Sequence, residues 1–416
     1  MTMRAGRETT QNRRNYKTFR RLLLLILILI IAIAAAAAYS YKSTKDSLDI
    51  SFTEKAPAVE AGSKISSMSF VQDSEGEVKP AREFLYTSAT GTRDMKYTVS
   101  KPVLGGLVTA SETRTLSYTV QDTVPPLILW NGSGTVLERY GEFSIDDVIG
   151  YGDNADPKPS IEVKGKVKMT KTGKYPLHVK ITDASGNHVE TDLTVEVADS
   201  VPVYKDESPR TQFEDFVSAN KGDGRSFGID VSTWQGDINF DAVKKAGCEF
   251  VFIRIGYSVD GKIEPDSHFE ENYENARAAG LKTGIYLYSY DNTKDEVRSS
   301  ADQIIEMLGD NAPDLPVVFD WEDFGRFQTY KMSFAGLNGL YDAFEDQLKS
   351  AGYECMLYGN KNSLEKVWEN TDTRPVWLAH YTDKTDYKGP YVVWQASQTG
   401  RIDGIEGDVD MDILYE

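Results

Sequence analysis

The sequence predicts a multidomain chain with an N-terminal transmembrane helix, two all-β modules and a C-terminal α/β barrel. Three observations carry this. Residues 22–38 are all apolar and uncharged; residues 46 to about 200 hold short strand-like runs separated by turn residues; and beyond Arg225 strand-like runs alternate with helical ones. A length of 416 residues exceeds one compact core at roughly 100 to 200 residues per domain. A content of 40% hydrophobic and 11% aromatic residues is that of folded rather than disordered material.

The N-terminal end is read first from its charge. Arg4, Arg7, Arg13, Arg14, Lys17, Arg20 and Arg21 face only Glu8, a balance of +6 that leaves -24 for the remainder. The 17 apolar residues that follow cover ~26 Å at about 1.5 Å per residue, close to a bilayer core. Basic residues on one side assign 1–21 to the cytoplasm, 22–39 to the membrane and the rest to the outside. Two readings stand: a retained anchor, or a secretory signal cleaved near the alanines at 34–38, which would release the body. The acidic remainder repels phosphate backbones and holds no basic patch interleaved with aromatics, so nucleic acid is excluded as a partner.

Residues 46–121 and 122–199 form the two β modules. Runs such as Tyr175-Pro-Leu-His-Val-Lys-Ile-Thr182 end in turns such as Asp183-Ala-Ser-Gly-Asn187. The stretch repeats itself: Lys96-Tyr97 returns as Lys174-Tyr175, and Asp122-Thr-Val-Pro125 as Asp199-Ser-Val-Pro202. Residues 200–224, polar and broken by Pro202, Pro209, Gly222 and Gly224, read as a linker.

In 225–416 eight apolar runs read as strands, at 227–231, 249–256, 282–289, 315–320, 354–358, 375–379, 391–396 and 409–414. Helical stretches at 242–246, 269–279 and 335–351 stop before Gly247, Gly280 and Gly352, and Thr293-Lys-Asp-Glu296 is a capping box opening a helix to about 308. The last three strands lack helical connections, so an irregular TIM-like barrel is expected. Export would permit a disulfide between Cys248 and Cys355, with two buried free thiols as the favoured reading, and with His178, His188, His268 and His380 scattered no metal or other cofactor is expected. Two runs, Asp153-Asn-Ala-Asp156 and 260–266, resemble calcium loops in composition but lack EF-hand spacing and read as solvated turns.

Chemistry belongs at the C-terminal strand ends of such a barrel. Asp230, Asp320, Glu322 and Asp410 stand there. Asp320 and Glu322 are spaced to share one strand face, and a carboxyl pair supplies the proton donor and negative charge that glycosidic cleavage needs. Aromatic rings at the same end, Tyr286, Tyr288, Trp377, Tyr381 and Trp394, suit pyranoside faces, with Arg254 and Gln395 as hydrogen-bonding partners.

Several segments in order carry a resemblance. Gly228-Ile-Asp-Val-Ser-Thr-Trp-Gln-Gly236, Cys248-Glu-Phe-Val-Phe-Ile-Arg-Ile-Gly256, Asp266-Ser-His-Phe-Glu-Glu-Asn272, Gly284-Ile-Tyr-Leu-Tyr-Ser289, Leu315-Pro-Val-Val-Phe-Asp-Trp-Glu322, Trp377-Leu-Ala-His-Tyr381 and Val393-Trp-Gln395 with Val409-Asp410 together resemble the glycoside hydrolase family 25 lysozymes over 226–416. The resemblance implies Glu322 as general acid, Asp320 as its partner, Asp230 and Asp410 on the cleft floor, and assistance from the substrate's own acetamido group. It departs at Leu287, where many family members carry His. Residues 122–199 resemble bacterial Ig-like modules through Asp122-Thr-Val-Pro-Pro126 and Gly173-Lys-Tyr175 with Asp183-Ala-Ser-Gly-Asn187. The internal repeat extends that reading to 46–121.

The expected function is that of a membrane-anchored extracellular muramidase cutting the β-1,4 bond between N-acetylmuramic acid and N-acetylglucosamine. Its partners are peptidoglycan strands and the membrane, with the β modules as spacers. Two other readings stand: a non-catalytic wall-glycan binder, and a hydrolase of another N-acetylated polymer such as chitin. Retaining or inverting outcome stays open.

Overall fold

The computed structural model describes residues 5–203, 206–369 and 371–415; Arg4 of the basic segment and positions 204–205 of the expected linker lie outside the described residues. The chain divides into two compact units, residues 1–121 and 122–416.

In the first unit, α1 (Ala5–Ser47) contains the apolar stretch, and over 15–47 it is long and apolar enough to cross a membrane. Its leucines and isoleucines from Leu22 to Ile33 are exposed, because no other part of the protein covers them. The strands are β1 (Ile50–Phe52), β2 (Ala58–Glu60), β3 (Val71–Ser74), β4 (Glu77–Pro80), β5 (Gly91–Val103) and β6 (Val108–Gln121). β4, β5 and β6 form an antiparallel meander, β2 joins β6 in parallel, and β1 pairs antiparallel with β3. Alternate residues Met95, Tyr97 and Val99 of β5 and Leu116, Tyr118 and Val120 of β6 are buried, the period-two pattern of a one-sided sheet.

The second unit opens with β7 (Leu127–Asn131), β8 (Val136–Glu138), β9 (Ile149–Gly152), β10 (Ser160–Lys164), β11 (Gly173–Thr182) and β12 (His188–Ala198). Here β10, β11 and β12 form the meander, β8 joins β12 in parallel, and β7 pairs antiparallel with β9. The pairing scheme repeats that of the first unit strand for strand, the structural counterpart of the sequence repeat.

The remainder of the second unit runs β13 (Thr211–Gln212), α2 (Phe213–Asn220), β14 (Arg225–Val231), α3 (Phe240–Lys245), β15 (Phe250–Val259), β16 (Lys262–Pro265), α4 (Phe269–Ala278), β17 (Lys282–Ser289), α5 (Lys294–Leu308), β18 (Val317–Asp320), α6 (Phe334–Ser350), β19 (Cys355–Asn360), α7 (Lys361–Lys366), β20 (Val376–Ala379), β21 (Val393–Arg401) and β22 (Val409–Tyr415). β14, β15, β17, β18, β19, β20 and β21 are parallel in that order, and β22 closes the ring antiparallel to both β21 and β14. The result is a distorted eight-stranded barrel. Thr293 and Glu296 cap α5 reciprocally, with Glu296 N–H on Thr293 Oγ1 at 3.3 Å and Thr293 N–H on Glu296 Oε2 at 3.2 Å.

Two expectations are corrected. The linker at 200–224 is in part barrel: Phe213 and Phe216 of α2 are buried in the barrel's core, and Arg210 grips Asp408 through Nε (3.0 Å) and Nη2 (2.7 Å). Second, the module of 127–198 is not a free spacer. Leu127 and Leu129 pack against the barrel core, and β9 lies on the 3-10 segment Phe324–Tyr330 that follows Glu322. Glycine permits that approach, since a Cβ on Gly152 would stand 2.6 Å from the rings of Phe327 and Phe334. Gln328 completes the joint by donating to Ile149 O (3.0 Å) and accepting from Tyr151 N–H (3.3 Å).

Candidate active site

Strand alternation decides which side chains enter the barrel. Outward residues such as Val251, Ile253, Ile285, Leu287, Val317 and Phe319 join the core under the helices, while Phe250, Phe252, Val318, Met356 and Trp377 fill the interior. Phe252 stacks on Trp377 at 4.5 Å, and Tyr286 and Tyr358 meet Trp377 edge-on at 6.1 and 5.1 Å. This aromatic plug forms a floor. Above it, at the C-terminal ends of the parallel strands, lies a cavity of about 240 Å³ lined by Asp230, Arg254, Tyr286, Tyr288, Asp320, Glu322, Trp377, Tyr381, Gln395 and Asp410. A second cavity of about 620 Å³ shares Glu322, Tyr358 and Tyr381 and continues past Asn360, Lys361 and His380. The site is a groove rather than a closed pocket.

β18 ends at Asp320, so Glu322 stands in the loop beyond it and not on the strand itself. Alternation nonetheless persists for two residues. Trp321 turns outward, fully buried against Phe324, Phe327 and Tyr330 with its Nε1–H on Asp291 O at 3.2 Å, which leaves Asp320 and Glu322 facing the cleft.

Five carboxyls crowd this space, and water is largely excluded from them. Burial pushes Glu322 up to about 7. Burial, then the charges of Asp230 and Glu322, push Asp410 up to about 9. Asp320 is held well above the carboxylate range by burial and by Glu322 and Asp230, with Arg254 opposing. Asp230 and Asp412 are raised by burial first and by neighbouring carboxyls second. The cluster therefore carries protons at neutral pH. Glu322 and Asp410 are its part-exposed members, while Asp230, Asp320 and Asp412 are buried.

Neutral groups hold the cluster in place. Gln395 donates from Nε2 to Asp230 Oδ2 at 2.7 Å, and its Oε1 accepts from Tyr358 (2.8 Å) and Tyr381 (3.0 Å). Trp377 Nε1–H donates to Asp412 Oδ1 at 2.8 Å. Arg254 places Nε and Nη2 on Asp266 Oδ2 at 2.9 and 2.7 Å, and the same oxygen takes Thr233 N–H at 3.0 Å. Asp266 is thus a buried partner, not part of a solvated turn.

Of the eleven side chains predicted, the structure brings ten to this cavity. Trp394 is the exception: it is buried in the outer core with its Nε1–H on His380 O at 2.9 Å, because its neighbour Gln395 takes the inward position. Trp377 reaches the cavity as floor, only 2% exposed. Leu287 lies in the outer core, so the position at which the family pattern departs faces away from the cleft. Sequence reasoning missed Ser232, Trp234, Gln235, Tyr358 and Gln398, which also line the cavity, and Asp412. Tyr358 was detectable, since it is two residues from the interior Met356 on one strand.

The family model "Glycosyl hydrolases family 25" matches residues 229–405. Among curated proteins, the autolytic lysozyme of Clostridium acetobutylicum is 29% identical over 191 residues, 45% of this chain and 56% of that protein. Lysozyme M1 of Streptomyces globisporus is 31% identical over 196 residues, 44% of this chain and 65% of that one. The chain thus spans between 56% and 65% of the length of these two relatives. Among solved structures, the bacterial lysozyme from Streptomyces coelicolor is 25% identical with a TM-score of 0.38, covering 45% of this chain and 90% of that one. The likeness to glycosyl hydrolases family 25 is thus carried by residues 229–405, the barrel segment of the second unit.

Proposed function

We propose that the chain is a membrane-anchored extracellular muramidase that hydrolyses the β-1,4 bond between N-acetylmuramic acid and N-acetylglucosamine in peptidoglycan, with Glu322 as general acid. The observation that carries this is the meeting of Glu322 with Asp320, Asp230 and Asp410 in one groove of a family 25 barrel. Two relatives bearing the name lysozyme support the substrate class.

Protonated Glu322 gives its proton to the bridging oxygen as the bond from that oxygen to the anomeric carbon breaks and its electron pair passes to the leaving sugar. The positive charge developing at the ring faces Asp320 and Asp230, either of which can orient the substrate's acetamido oxygen toward the anomeric carbon. Water then adds its oxygen to the anomeric carbon and gives one proton to the Glu322 carboxylate, which restores the acid. Tyr286, Tyr288 and Tyr381 supply ring faces for the sugars, and Gln395 holds Asp230 in register.

The apolar run in α1 supports an anchor with the basic end inside and the body outside. The repeated strand scheme supports reading both β modules as Ig-like. The test is release of reducing ends from purified peptidoglycan by the full chain in detergent, beside Glu322→Gln, followed by mass analysis of the fragments. Muramic-acid reducing ends that fall by on the order of 10² to 10⁴ in the variant are expected. A folded parent that binds glycan without releasing ends, or that cuts only chitin, would refute the assignment.

A further inference from the structure

Three aspartates of the docked β module meet outside the active site. Asp122 stands in the segment before β7, Asp153 follows β9 directly, and Asp183 follows β11 directly, so three connecting segments meet at this point. One carboxylate oxygen from each lies within 4.8 Å of those of the other two. None of the three takes part in an ion pair among the described residues.

Asp153 is not the solvated turn residue its sequence suggested. It is completely buried; Oδ1 accepts the N–H groups of Ala155 (2.9 Å) and Asp156 (2.6 Å), while Oδ2 is buried with no hydrogen-bond partner among the described residues. Oδ1 of Asp122 is in the same position. Asp183, also buried, accepts from Ser185 N–H and Asn187 N–H at 2.8 and 2.9 Å. The loops are tied independently of any ion: Asn187 Nδ2 donates to Asp122 O at 3.1 Å, and Ala184 N–H donates to Asp156 Oδ2 at 2.8 Å.

A buried carboxylate oxygen with no donor costs free energy, and three carboxylates facing one point repel one another. Protons relieve this in part, since burial pushes Asp153 up to about 6 and raises Asp122. A divalent cation relieves it fully at neutral pH. Calcium takes oxygen ligands at about 2.3–2.6 Å, so ligands on opposite sides of it stand roughly 4.6–5.2 Å apart; magnesium requires a tighter octahedron near 2.0–2.1 Å. Separations of up to 4.8 Å leave room for calcium.

We propose that Asp122, Asp153 and Asp183 form a calcium-binding site, with water or backbone oxygens completing the shell. The site would act on the joint between module and barrel. Asp153 O accepts Phe334 N–H at 2.8 Å and Asn154 O accepts Ala335 N–H at 3.1 Å, so the loop that holds the ion also holds the first turn of α6. This proposal does not depend on the muramidase reading.

The test is thermal unfolding of the full chain in detergent, stripped with EDTA and titrated with calcium chloride, beside Asp153→Asn and Asp122→Asn. A saturable upward shift of a few degrees is expected in the parent and in neither variant. In EDTA both variants should unfold at or above the parent's temperature, because a repelling charge has gone. If Asp153→Asn fails to fold, Asp122→Asn, at a less buried position, carries the comparison. No calcium-dependent shift in the parent, or an equal shift in parent and variants, would overturn the site.

Discussion

Glu322 and Asp410, pushed up to about 7 and about 9, keep protons in the folded cleft that they lose in the unfolded chain above about pH 4 to 5. Two outcomes follow with definite signs. Activity that needs protonated Glu322 should fall as pH rises through about 7, read from a pH profile of kcat/KM. Because the folded state binds more protons, the stability these groups contribute is present at low pH and lost as pH rises through 7 to 9; Asp410→Asn should raise the unfolding temperature at about pH 9 more than at pH 5. Gln395→Leu leaves Asp230 and two tyrosine hydroxyls without their partner and should cost roughly 1 to 3 kcal/mol in chemical denaturation. Much of this cleft was legible because carboxylates at strand ends have few structural uses. Trp394 misled because aromatic character was weighed without parity: choosing Gln395 for the inside of β21 assigns its neighbour to the outside.

β18, its following loop and α6 form the element on which both chemistry and docking bear. Gly152→Leu would drive a side chain into Phe327 and Phe334 and should destabilise the second unit by about 1 to 3 kcal/mol, measured by denaturant unfolding, with a parallel loss of activity as the loop after Glu322 shifts. Gln328→Ala removes two backbone contacts to β9 and should act in the same direction, more weakly. The eight barrel strands were legible from apolar runs bounded by glycine, and α5 from its capping box. Other elements were not. α2 is an eight-residue helix whose two buried phenylalanines are too few to establish a helical period, and β9 has glycine at two of its four positions, Gly150 and Gly152, so it carries little strand propensity. Antiparallel closure by β22 follows from a short return of the chain after β21, which no local propensity reports.

At the scale of the molecule, 22–38 present an uncovered apolar surface beside a basic end, while the remaining chain is strongly acidic. The full chain should sediment with membranes, stay there in high salt and be released by detergent; a salt-released or freely soluble product would favour the cleaved-signal reading. The joint between β9 and Phe324–Tyr330 has a further consequence, for anyone moving this barrel between proteins. The family match begins at Ile229, yet the aromatic surface of Phe324, Phe327 and Phe334 is closed by residues from 127–152. Cut at the family boundary, the barrel would present that surface to water beside its own acid-bearing loop. The portable piece of this protein is residues 122–416, and the module travels with it as part of the barrel's own wall.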